Sequence, residues 1–105
     1  MFEAEIERGA KVLDRDDPGW ALESAKRPIN VERLDMRSPY LCILAQRDGT
    51  FLTATRRLFP GVSVLVDATL MVVHGFMLET VGDYPQLTAE WRAFIRKRRK
   101  DAKKP

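Results

Sequence analysis

The sequence predicts a mainly α fold, a compact single domain of four or five short helices, and three observations carry that prediction. Apolar residues recur at helical spacing, most plainly at Tyr84, Leu87, Trp91, Phe94 and Ile95. Turn dipeptides and helix-ending glycines, at Pro18-Gly19, Asp48-Gly49, Pro60-Gly61 and Gly75, cut the chain into pieces of helix length. With 105 residues, 45% hydrophobic and 31% charged, there is material for one modest core and not for two.

Phe2, Ile6, Ala10 and Leu13 repeat every three to four residues and place a first helix at about Glu3 to Asp14. Glu3, Glu5 and Glu7 lie at its positive N-terminal end, where the helix dipole favours acids. The stretch DRDDPGW ends it, and Trp20 is large enough to close over the core. Pro28 to Met36 predicts a turn or two of helix at most, capped by Asn30, with Ile29 packing on Leu34. Ser38-Pro39, a cap followed by a first-turn proline, introduces YLCILAQR, read as a buried helix ending at Asp48-Gly49. Phe51, Leu52, Thr55, Leu58 and Phe59 share one face of the next helix, which Pro60-Gly61 terminates.

A rival stands beside these two helices. Asp-Gly between the β-tolerant runs LCILAQR and TFLTATR is a strong hairpin signal, and a hairpin turning at Asp48-Gly49 would make the domain α+β. The helix start at Ser38-Pro39 favours the helical reading. Val62 to Val66 has strand-like composition, and a short buried helix is expected at Asp67 to His74, with Asp67 as cap, Gly75 at C′ and Phe76 folded back on Met71. The last helix is expected from Asp83 to Lys104, opened by a capping box of Asp83 and Gln86 with Pro85 in the first turn. The expected core is Ile6, Leu13, Trp20, Leu34, Leu41, Leu44, Leu58, Leu70, Phe76, Leu87, Trp91 and Phe94. Residues 1–95 read as the globular domain and residues 96–105 as a basic tail continuing the last helix.

The net charge of +3 conceals an asymmetry: from Glu90 onward eight basic residues face two acidic ones, and the remainder is mildly acidic. The single cysteine, Cys42, allows no internal disulfide and no thiolate metal cage. The acidic opening MFEAEIERGAK is unlike a signal peptide, and the longest apolar run, Val62 to Val73, is interrupted and too short to span a bilayer. A cytoplasmic protein without a transmembrane segment is expected.

Catalysis needs converging groups of tunable pKa, and few are present. His74 is the only histidine, beside a helix-ending glycine where an imidazole commonly bonds last-turn carbonyls. Cys42 lies in an apolar run with no basic neighbour to lower its pKa. Asp14, Asp16 and Asp17 hint at a calcium loop, but Pro18 occupies the fifth position and Ala25 the twelfth, where a bidentate glutamate is required. P-loop, GxGxxG, GxSxG and HExxH patterns are missing. A helix-turn-helix built from residues 51–59 and 67–74 would present Leu70 to Val73 to a groove with no base-reading side chain. No catalytic, cofactor or metal residues are assigned.

GAxxLD at Gly9 to Asp14, Pro18-Gly19-Trp20, Leu34-Asp35-Met36 with Ser38, CxLxQ at Cys42 to Gln46, His74-Gly75-Phe76, and Tyr84, Leu87-Thr88 and Trp91-Arg92 together give the chain its pattern. In these short motifs it resembles a family of small, mostly uncharacterised proteins of actinobacteria and their bacteriophages. Arg47-Asp48-Gly49 departs from that pattern, which often has a glycine or further aromatic there. The resemblance implies a bacterial or phage cytoplasmic setting and no established activity.

The chemically biased surface is the basic end. Arg92, Arg96, Arg99 and Lys103 fall at helical spacing on what is expected to be one continuous exposed face, and with Lys97 and Lys100 they are the candidate phosphate- or partner-binding residues. Trp91 and Phe94 sit on the apolar stripe, as core rather than stacking platforms. The leading expectation is therefore a non-enzymatic interaction or regulatory module that binds a protein partner. The alternative is an accessory, non-specific nucleic-acid binder using the basic helix and tail.

Overall fold

The computed structural model describes residues 1–61 and 64–103, and only the backbone of residues 64–67. Among the described residues there are five α-helices and no strand: α1 (Glu3–Asp16), α2 (Ile43–Asp48), α3 (Phe51–Leu58), α4 (Val64–Val73) and α5 (Tyr84–Ala102), with a 3₁₀ turn at Val81–Asp83 leading into α5. The mainly α reading holds and the hairpin does not form. Gly49, at φ +91°, reverses the chain between two helices, and Thr50 restarts it by accepting the amide of Thr53 at 3.1 Å.

Several boundaries differ from the sequence reading. Helix α1 continues to Asp16, because nothing in Arg15-Asp16 breaks it before Pro18 can act. Ser38 does cap, its Oγ accepting the amides of Tyr40 and Leu41 at 3.1 Å each, but it caps an isolated turn, and regular helix begins only at Ile43. Asn30 likewise holds a single turn by accepting the Arg33 amide at 3.2 Å. Helix α4 begins at Val64, so valine-rich residues read as strand-like are helical and Asp67 lies inside the helix rather than at its cap; Val62 and Ser63 fall outside the described residues. The capping box at α5 does not form: Asp83 makes no side-chain cap, and Gln86 donates to Glu90 at 2.8 Å instead. The expected end of α5 at Lys104 lies outside the described residues.

The C-terminus of α4 follows the sequence closely. Gly75 takes φ +72°, its amide bonds Val72 O at 3.1 Å, and the Phe76 amide bonds Met71 O at 2.8 Å, the two bonds of a Schellman motif. The reversal serves a crossing. Helix α1 passes directly over it: a Cβ on Gly9 would lie 2.1 Å from the His74 carbonyl oxygen, and one on Gly75 would lie 3.2 Å from the Glu5 carbonyl carbon. Arg8 Nε bonds Val73 O at 2.9 Å in the same place.

Helix α5 closes the core. Leu87, Trp91 and Ile95 are fully buried, Trp91 stacks on Phe76 with centroids 5.8 Å apart, and its indole N–H donates to Gly75 O at 2.7 Å. Trp20 meets Trp91 edge-on at 6.1 Å and stacks on Phe94 at 6.4 Å, as its placement after Pro18-Gly19 predicts. Of the expected core, Leu58, Leu70 and Phe94 are only partly buried and Leu41 lies at the margin. Ile29, Val31, Met36, Cys42 and Ile43 take up that space from segments without strong periodicity.

The crossing yields a clean test. Gly9→Ala forces backbone apart and should destabilise the fold by about 3 kcal/mol, at the upper end for overpacking. Gly82→Ala, where an added Cβ meets nothing, should stay within about 0.5 kcal/mol, both read from urea unfolding midpoints.

Candidate functional site

Beyond its core stripe, α5 carries two further faces, and the basic residues divide between them. On one, Arg92 Nε and Nη2 donate to Val31 O at 2.7 Å and Leu34 O at 3.0 Å. One helical heptad on, Arg99 Nε and Nη2 donate to Ala21 O at 2.9 Å and Ile29 O at 2.7 Å. Both side chains are half-buried. The expected continuous exposed face of Arg92, Arg96, Arg99 and Lys103 is thus corrected for two of its members: Arg92 and Arg99 lie against the irregular segment, where carbonyls without helix partners take guanidinium donors instead. Arg96 is exposed and stands 3.9 Å from exposed Glu32, and Lys103 pairs with Glu23 at 2.9 Å, also in solvent.

Other groups tie down the same irregular segment. The Thr88 hydroxyl, buried on α5, accepts the Met36 amide at 2.9 Å. Gln46 accepts the Asn30 amide at 2.7 Å and donates to Leu41 O at 2.9 Å.

The second face of α5 opens on α1. The helices run parallel, since Glu90 accepts the Phe2 amide at 2.8 Å near one end and Arg98 grips Asp14 bidentately, at 2.5 and 3.0 Å, near the other. Between them lies a groove of about 670 Å³ with Ile6, Ala10, Ala93 and Phe94 along its floor. Glu3 and Glu90 lie toward one end, Glu7 and Lys11 stand 3.9 Å apart midway, and Asp14, Lys97 and Arg98 lie toward the other end. Arg98 also covers the Phe94 ring at 4.7 Å, so the basic end is braced by an ion pair and a cation–π contact. Lys97 is therefore the expected site residue that reaches this groove, while Lys100 is exposed on the helix beyond it. The groove itself went unread in the sequence. Its signal was Ala93 beside Phe94, a small residue next to an aromatic where two helices can leave space.

His74 and Cys42 are not brought together. Imidazole Nδ1 contacts Leu70 O at 2.7 Å and the ring tilts against Phe59 with centroids 5.2 Å apart, the last-turn arrangement expected of it. Cys42 is 1% exposed, and burial pushes its thiol up from the ordinary value. The aspartates of the rejected calcium loop turn to separate partners: Asp14 to Arg98 and Trp20 Nε1, Asp16 to Arg47 and Arg57, Asp17 to the Gly19 amide at 3.2 Å.

Comparison with protein-family models, curated proteins and solved structures returns no match, so function is argued from this geometry.

The two faces predict different sensitivities. Arg99→Met leaves two carbonyls without their charged donor and should cost about 2 kcal/mol in urea unfolding, whereas Arg96→Met should change stability by less than about 0.5 kcal/mol.

Titration gives a further expectation. Arg98 holds the Asp14 carboxyl below its ordinary value, and Arg57, with Arg47 behind it, does the same for Asp16. A folded chain with depressed carboxylates binds fewer protons than the unfolded one, so their contribution is complete above the ordinary aspartate value of about 4 and is lost as pH falls through the depressed values. The urea midpoint should hold from pH 7 to about 5 and decline below about 4, less steeply in Asp14→Asn.

Proposed function

We propose that this protein is a non-catalytic interaction module that binds a protein partner, and that the α1–α5 groove receives one amphipathic helix of that partner. The carrying observation is the groove itself: an apolar floor at Ala93 and Phe94 between two parallel helices, with Glu3 and Glu90 toward one end and Lys97 toward the other. A helix laying an apolar stripe on that floor, with basic residues toward Glu3 and Glu90 and an acidic one toward Lys97, meets complementary charge better in one orientation than in the other. The volume suits the anchoring side chains of one helix rather than a folded domain. A bacterial or phage cytoplasmic setting, implied by the motif resemblance, belongs to the same proposal.

Support also comes from where the competing chemistry goes. The imidazole is engaged by backbone and the thiol is buried. For the nucleic-acid alternative, Arg92 and Arg99 are occupied by carbonyls, which leaves Arg96, Lys97, Lys100 and Lys103 as exposed cations. No observation favours that reading over the groove.

Ala93 is exposed and outside the core, so Ala93→Glu obstructs the floor without disturbing the packing. The tagged full chain, used to capture partners from a nuclease-treated bacterial lysate, should retain a protein that the A93E form loses at least tenfold while keeping its wild-type unfolding midpoint. Equal capture by both forms, or capture that nuclease abolishes, would refute the reading.

A further inference from the structure

Both walls of the α1–α5 groove point the same way. Phe2 and Glu90 meet where α1 begins, and Asp14 and Arg98 meet near its end at Asp16. The backbone dipoles of the two walls are therefore aligned, positive toward Glu3 and negative toward Asp14. A third helix laid between them sets its dipole against theirs when it runs antiparallel and places like ends side by side when it runs parallel.

The side chains of the groove bias the same choice. Midway, Glu7 and Lys11 stand 3.9 Å apart and offset each other. Toward the α1 terminus Arg98 is held bidentately by Asp14, which leaves Lys97 as the groove cation without an ion-pair partner among the described residues. Lys97 is exposed and follows Ala93 by four positions on α5, so helical geometry sets it on the groove face beside the floor. At the other end Glu90 accepts the Phe2 amide and the Gln86 side-chain amide and keeps its negative charge, with Glu3 exposed on the facing helix. An amphipathic helix is most stable with acids in its first turn and bases in its last. Such a helix brings its acids to Lys97 and its bases to Glu3 and Glu90 when it runs antiparallel; run parallel, it sets acid against acid and base against base.

Taking the groove as the partner site proposed above, we infer that the partner helix lies antiparallel to α1 and α5, an acidic side chain of its first turn on Lys97 and a basic one of its last turn toward Glu3 and Glu90. The floor of Ile6, Ala10, Ala93 and Phe94 accepts an apolar stripe in either direction, so the apolar contact gives occupancy and the end charges give direction. Lys97 is the residue that determines this specificity; Arg98, engaged by Asp14 and the Phe94 ring, is not.

The probe is a synthetic peptide of about 18 residues, long enough to hold helix in water, with leucines at i, i+3, i+4 and i+7 spacing, glutamates in its first turn and lysines in its last. A nitroxide is attached at one peptide end or the other, and the amide signals of the isotope-labelled full chain are followed through the titration. The N-terminal label should broaden the amides of Asp14 and Lys97, and the C-terminal label those of Glu3 and Glu90. Lys97→Glu should weaken binding about fivefold at low ionic strength, where an exposed ion pair becomes a repulsion. Arg96→Glu, the same change of charge outside the groove, should stay within about twofold of wild type. Binding that Ala93→Glu removes, but with the labels broadening the opposite ends or with Lys97→Glu no weaker than Arg96→Glu, would overturn the orientation and leave the groove in place. No saturable binding, or binding that Ala93→Glu leaves unchanged, would overturn the groove and the orientation together.

Discussion

The whole arrangement depends on finding donors for the carbonyls of residues 17–42. This segment contains no regular helix, yet it delivers Trp20, Ile29, Val31, Leu34 and Met36 to the core. Irregular backbone is usually kept at the surface because its polar groups cannot be satisfied inside. Here the donors come from the helix that packs over it: Arg92 and Arg99 supply four hydrogen bonds to carbonyls, and Thr88 accepts the Met36 amide. Side-chain capping replaces the ladder that secondary structure would have provided.

Arginine suits this work better than lysine. Its methylene stem lies along apolar surface, and its planar fork reaches two acceptors at once, so a charge is carried to the edge of the core without losing its hydrogen bonds. The same helix is fixed on its neighbouring core face by Trp91, whose indole bonds Gly75 O within the turn that α1 crosses. A single helix thus joins the irregular segment, the α4 terminus and α1. The tolerance at Gly9 is smallest because three elements converge there: the His74 carbonyl, Phe76 and Trp91 all lie within 3.1 Å of a Cβ added to it.

Much of this was legible in the sequence. The period of Leu87, Trp91 and Ile95, the glycine terminator at Gly75 with Phe76 folding back, and the lid position of Trp20 each depend on neighbours close in the chain, where spacing and turn chemistry are informative. What was not legible depends on partners far apart. The contacts of Arg92 with Val31 and Arg99 with Ala21 link residues separated by 61 and 78 positions, and the burial of Ile29 and Val31 follows from them. Asp67 misled as a cap because a valine-rich run was weighed by strand propensity, which tertiary packing overrode. The α1–α5 groove is a space between elements, and no periodicity within one element records it.

The basic run shows most plainly why composition misleads. Arg92 and Arg99 each follow by one or four positions a buried residue of the stripe, Trp91 and Ile95, so on the helical wheel they border the core rather than oppose it. A cation at such a boundary is placed to cap backbone; one on the far side is placed to meet a ligand. Of the remaining charges, Arg98 is neutralised by Asp14 and Lys103 is paired with Glu23, so the field of the run is smaller than its eight cations imply. What survives is local in character: Lys97 at one end of an apolar groove with acids at the other, an arrangement that selects the orientation of a partner more readily than it attracts a uniform polyanion.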